Sequence, residues 1–254
     1  MKVIFTALFG SLAIGSVSAI VGGKQEPPRS KPYTCNVRFS ADSEAVCGCA
    51  LVSSKHVLTT ATCVGQGDYY VSLGTFFNRG REDGQQLKVV SILKHPKYED
   101  PGRRNDFAIL TLDGTSNYAP VQLPMSEDSS KNLKTGDWVT AMGWGGTDPS
   151  NGYGYSEVLQ RVELEVWESE RCRNTTHFDF IDRTFFCAGG EKGKGVAYGD
   201  HGGPVILKNE KGPDDDVLIG LVSRAPDNNL DGIPAVCARV SSVRDWVKSN
   251  TITY

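Results

Sequence analysis

Short runs of β-branched and aromatic residues recur along this chain, broken by clusters of Gly, Pro, Asn and Asp. That pattern predicts strands over Tyr33–Phe39, Ala45–Val52, Tyr69–Leu73, Leu87–Leu93, Phe107–Leu112, Trp138–Gly143, Val158–Val166, Val205–Lys208, Val217–Val222 and Ala235–Val240. One segment has helical spacing. Val240, Val243, Trp246 and Val247 fall at i, i+3, i+6 and i+7, with Ser241 and Ser242 as cap candidates. Many short strands and one terminal helix give an all-β class, a barrel or a sandwich. No internal repeat or low-complexity linker divides the chain. The stretches Ser126–Asp137, Asp148–Ser156 and Asn209–Asp216 read as exposed polar loops. Asp214-Asp215-Asp216 reads as a solvated hairpin turn, because it lacks the alternation of a calcium loop.

The N-terminus is built differently. Lys2 precedes a mostly apolar run from Val3 to Ile14, then Ser16-Val17-Ser18-Ala19 supplies small residues. This predicts a signal peptide over residues 1–19, cut after Ala19, and a secreted product with no membrane anchor. The 254 residues fit one large domain or two small ones, and 27 Lys and Arg against 30 Asp and Glu leave no basic excess for tracking nucleic-acid phosphates. Secretion also changes how the seven cysteines read. Cys47-Gly48-Cys49 has no nearby His pair to complete a metal site, so disulfides are expected, with at least one cysteine left over.

A series of short motifs follows the predicted cut. It begins with Ile20-Val21-Gly22-Gly23, Cys47-Gly48-Cys49-Ala50 and Thr59-Thr60-Ala61-Thr62-Cys63. It continues through Asn105-Asp106-Phe107-Ala108, Gly143-Trp144-Gly145, Phe186-Cys187-Ala188-Gly189 and Gly199-Asp200-His201-Gly202-Gly203-Pro204. In this order the series resembles the trypsin/chymotrypsin family of serine proteases over residues 20–254. The resemblance implies two six-stranded antiparallel β-barrels (chymotrypsin-like), a C-terminal helix and a cleft between the barrels. That family works by a Ser–His–Asp triad. Asp106 matches its aspartate, but Thr62 stands at the histidine position and His201 at the serine position. Losing one member of such a unit costs on the order of 10⁴ to 10⁶ in turnover. A catalytically degenerate domain is therefore expected. The alternative is a swapped pair, Thr62 as nucleophile and His201 as base. It would lack an orienting carboxylate for His201. The specificity pocket departs too. Gly195 stands at its floor, Ala197 and the Asp227–Asp231 loop lack its cystine, and the wall reads Ser223-Arg224-Ala225.

The same resemblance pairs Cys47 with Cys63 and Cys172 with Cys187. Cys35 and Cys49 are not usual in the family, but they lie equidistant from Asp42 in a hairpin. They form either an extra bridge or a pair of buried thiols, and Cys237 is left as a buried apolar residue. Asn174-Thr175-Thr176 is a glycosylation sequon. Family behaviour also implies that an α-amino group freed at Ile20 pairs with Asp200 as a structural lock.

Finer likeness lies in His56-Val57-Leu58-Thr59-Thr60, Gly84-Gln85-Gln86-Leu87-Lys88-Val89 and Asp215-Asp216-Val217-Leu218-Ile219-Gly220. These are similar to the glucanase inhibitor proteins of plant-pathogenic oomycetes. That likeness implies a secreted protein acting in the host apoplast, without cofactor or metal, that binds and inhibits a plant endo-β-1,3-glucanase. The alternatives are a regulatory pseudo-protease that docks to another secreted protein, and an active hydrolase.

Overall fold

The computed structural model describes residues 20–81, 83–126, 133–146, 154–208, 212–226 and 232–251. The expected signal peptide 1–19, the 227–231 loop and parts of the three polar loops (127–132, 148–153 and 209–211) lie outside the described residues. Six strands close into an antiparallel barrel. They are β2 (Thr34–Arg38), β3 (Cys47–Ser53), β4 (His56–Thr59), β5 (Tyr70–Leu73), β6 (Gln85–Lys94) and β7 (Ala108–Leu112), in the order β2-β3-β4-β7-β6-β5. Closure pairs every edge, so neither end strand is left as a template for association.

The remaining strands form one curled sheet. These are β1 (Lys24–Gln25), β8 (Trp138–Gly143), β9 (Gln160–Glu165), β10 (Phe185–Gly189), β11 (Pro204–Leu207), β12 (Val217–Arg224) and β13 (Pro234–Arg239), in the order β1-β9-β8-β11-β12-β13-β10. Its six long members run in the circuit of the second barrel. The β9–β10 seam is held by the bridge Val166↔Ala188 and by the Trp167 N–H on the Cys187 carbonyl at 2.8 Å. One apolar cluster joins the two halves, and the curled sheet encloses a second around Val139, Val162, Val205 and Val222. Met142, Trp144, Ile206, Leu218 and Leu221 pack with Leu51, Leu58 and Leu110, and Trp144 Nε1 donates to the Phe76 carbonyl at 3.0 Å.

Several local readings needed correction. Strand β10 was not predicted. Its sequence, Phe185-Phe186-Cys187-Ala188-Gly189, has no β-branched residue, and all five positions are buried, so neither composition nor alternation marks it as a strand. The terminal helix begins later than expected. Val240–Val243 is a 3₁₀ turn and α2 spans Arg244–Thr251, while the Ser242 hydroxyl donates backward to the Arg239 carbonyl at 2.6 Å rather than capping. A second helix, α1 (Ser169–Thr176), escaped the pattern because Cys172 is its only buried residue. Asp216 is not solvated. It is fully buried and accepts from the Tyr33 hydroxyl at 2.6 Å and from the Lys31 ammonium. Burial and that bond push the Tyr33 hydroxyl above its ordinary value. Asp214 remains exposed.

Three disulfides cross-brace the described residues. Cys35 and Cys49 are direct partners across β2 and β3, with Cα atoms 4.9 Å apart. Cys47–Cys63 and Cys172–Cys187 span 6.0 and 6.1 Å. Loops of this length are worth about 3 kcal/mol each through the unfolded state. Cys237 on β13 is fully buried, and burial pushes its thiol up to about 12. Non-reducing peptide mapping should therefore show these three linked pairs, with Cys237 alkylated only after unfolding. Rapid labelling of the folded protein would contradict this core.

Candidate functional site

Asp106 enters the interior just before β7. Asn105 ahead of it has φ +51°, a left-handed turn that Asn tolerates. The carboxylate is fully buried and takes three donors. They are the Thr62 N–H at 3.0 Å, the Thr62 hydroxyl at 3.1 Å and the Ser223 hydroxyl at 2.7 Å. Burial raises its pKa; the bonds from Ser223 and Thr62 and the Arg103 charge pull it back. Thr62 lies in a 3₁₀ turn, Ala61–Cys63, anchored by the Cys47–Cys63 disulfide.

His201 lies in the tight turn before β11. Gly199 and Gly202 take φ +95° and +75°, values that L side chains avoid. A Cβ at Gly202 would stand 2.4 Å from the Gly48 carbonyl and 3.1 Å from Cys63 Sγ. The Gly48 N–H donates to the His201 carbonyl at 2.7 Å. The turn is thereby seated against β3 beside the segment carrying Thr62. The half-buried His201 ring meets exposed Tyr198 edge-on, with centroids 5.9 Å apart.

Asp200 holds this turn from inside. It is fully buried and accepts the Gly145 and Ala197 N–H groups, each at 2.8 Å. Among the described residues no cationic side chain pairs with it, and burial pushes it up to about 7. Ile20 is also fully buried, packed with Val139, Ala141 and Val162, and Val21 pairs with Gly195. While Ala19 precedes it, the nitrogen of residue 20 is an uncharged peptide amide and offers Asp200 no ammonium to pair with.

Two features escaped the sequence reading. Ser223, read as pocket wall, also donates to Asp106 across a separation of 117 residues that carries no local signal. Its neighbour Arg224 lays its guanidinium over the Phe178 and Phe180 rings, at 5.2 and 5.0 Å from their centroids. Asn174 is exposed, on helix α1. Among the described residues no group of three or more His, Cys, Asp or Glu could hold a metal ion.

Chemically, the site joins a hydroxyl directly to a carboxylate. A threonine hydroxyl is no general base near neutral pH, and its single proton is donated to Asp106. A swapped Thr62–His201 dyad would need that proton aimed at the imidazole instead.

The family model described as Trypsin matches residues 20–247. Glucanase inhibitor protein 2 of Phytophthora infestans is 41% identical to this chain, with 99% of each covered. Glucanase inhibitor protein 1 of the same organism is 39% identical, covering 99% of this chain and 98% of its own. Glucanase inhibitor protein 2 of Phytophthora sojae is 41% identical, covering 97% and 87%.

Replacing Ser223→Ala removes a donor from a buried carboxylate and should cost about 1–3 kcal/mol at neutral pH. Ser223 favours the ionised form, so the loss should shrink as acid protonates Asp106. Urea unfolding at neutral and acidic pH checks both the size and the trend.

Proposed function

This chain belongs to the trypsin family, and on that premise we propose that it is a secreted, non-proteolytic member that binds and inhibits a host plant endo-β-1,3-glucanase. The observation that carries this reading is the near-full-length likeness to proteins named as glucanase inhibitors. The Thr62–Asp106 contact supports the non-proteolytic half, since no imidazole stands between hydroxyl and carboxylate. Secretion to the host apoplast fits the three disulfides, and no helix among the described residues is long and apolar enough to cross a membrane. A signal peptide cut after Ala19 and a glycan on exposed Asn174 belong to the same reading. Inhibition suppresses a defence hydrolase by occlusion and needs no cofactor.

The test pairs two assays. Added protein should lower plant endo-β-1,3-glucanase activity, and no standard peptide substrate should be cleaved. His201→Ser alone should remain inert, because position 62 still offers no base. Unchanged glucanase activity at excess protein, with no complex formed, removes the inhibitor reading. Turnover by the His201→Ser protein removes the account of the site.

The same reading makes Ile20 and Asp200 a structural lock in the mature chain. A cut after Ala19 would create an α-ammonium beside the interior that already holds Asp200. Breaking a buried pair of this kind costs about 3–5 kcal/mol. Pairing raises the amine's folded pKa above its free value of about 7.7–8.0, so the stabilisation is present below that range and lost as pH rises through the folded pKa. The uncut chain behaves differently. There Asp200 is pushed up to about 7, so stability already declines as pH climbs through the acid range toward that value. N-terminal sequencing should give Ile20, and Asp200→Ala should lower the mature protein's urea midpoint at neutral pH. A secreted chain that starts upstream, or a neutral Asp200→Ala, removes the lock.

A further inference from the structure

Beside Asp106, three segments meet: the loop between β6 and β7, the loop after α1, and the end of β12. The Phe178 and Phe180 rings stack at 4.9 Å, and Phe180 leans on buried Phe185. Arg224 lies over both rings. Its Nη2 donates to the Pro101 carbonyl, and its Nε is buried with no hydrogen-bond partner. Arg103 donates Nη1 to the Ser223 carbonyl, from a backbone with φ +57° that a non-glycine residue seldom adopts. Both arginines are half-buried.

Among the described residues neither guanidinium forms an ion pair with a carboxylate. Asp106 is already taken by three donors, and Asp100 acts on Arg224 only through its field. Burial first, and then the Arg103 charge, lower the proton affinity of Arg224. Two like charges are thus held together, half out of water, by ring stacking and carbonyl bonds. An anion placed against them would relieve the repulsion at little ordering cost, because the planar forks are already oriented.

We propose that Arg103 and Arg224, mounted on the Phe178–Phe180 platform, are the contact that receives carboxylates of the inhibited enzyme. This rests on the inhibitor reading above. Glycoside hydrolases generally flank the scissile bond with a pair of Asp or Glu side chains. A protein that occludes such a cleft meets negative charge there, and the two guanidiniums carry the opposite sign.

The experiment measures binding of purified plant endo-β-1,3-glucanase to the full chain at low and high salt. Arg103→Ala and Arg224→Ala should each raise Kd roughly tenfold at low salt, and less at high salt, where screening weakens the wild-type contact. Arg224→Lys keeps the charge but loses the stacked fork, so it should fall between wild type and Arg224→Ala. Lys248→Ala, an exposed charge on α2, should bind as wild type. If Arg224→Ala fails to fold, Arg103→Glu carries the test, and reversal should weaken binding at least as much as removal. Wild type that binds while the folded Arg103 and Arg224 variants bind equally well overturns this contact and leaves the inhibitor reading standing. Wild type that does not bind overturns both.

Discussion

The centre of this molecule depends on one carboxylate, Asp200, buried with no cationic side chain beside it among the described residues. Asp200 can sit there because backbone N–H groups of Gly145 and Ala197 replace its water. That arrangement dictates composition around it. A Cβ at Gly143 would lie 2.2 Å from a carboxylate oxygen, and one at Gly145 2.5 Å from its carbon, so both positions are closed to side chains. Asp200 in turn holds the 199–203 turn. Through Gly202 and Gly48 that turn seats the curled sheet on the closed barrel. The seating of the two halves on each other follows from this contact and from the Cys47–Cys63 link, independently of which side chain occupies position 201.

The outlines of both halves were legible because most strands carry β-branched or aromatic residues between Gly, Pro, Asn and Asp breaks. The pairing of Cys35 with Cys49 could be placed opposite in register from hairpin symmetry alone, although symmetry could not decide between a bridge and two thiols. What escaped is equally physical. Strand β10 is buried on both faces and shows no period. Helix α1 has one buried residue and is held by its cystine rather than by an apolar stripe. Asp216 looks like part of an acidic turn until the partner residues Lys31 and Tyr33 arrive from far away in the chain.

The candidate site divides along the same line. Thr62, Asp106, His201 and Asp200 could be located from motif order, because each is embedded in a tight turn or strand whose glycines and cysteine leave a local trace. Ser223 and Arg224 could not. Their roles are set by Asp106, Pro101, Phe178 and Phe180, contributed by separate loops, and no short-range pattern records such a meeting.

Such a division separates what the scaffold must keep from what it can change. The buried Asp200, its glycine neighbours and the barrel contact stabilise the chain whether or not a peptide is ever cut. The rim is under a different constraint. On the proposed reading a side chain there contributes by what it offers the partner, and Arg224 stacked on two rings has no carboxylate paired with it among the described residues. Function on this fold therefore does not require the catalytic residues to survive, only the rigid frame that holds the rim in place. In this chain the Thr62–Asp106–Ser223 hydrogen bonds serve that frame. They satisfy a buried carboxylate and pin three segments under the loops that carry Arg103 and Arg224. Under the proposal above, that frame is the foundation of the binding surface.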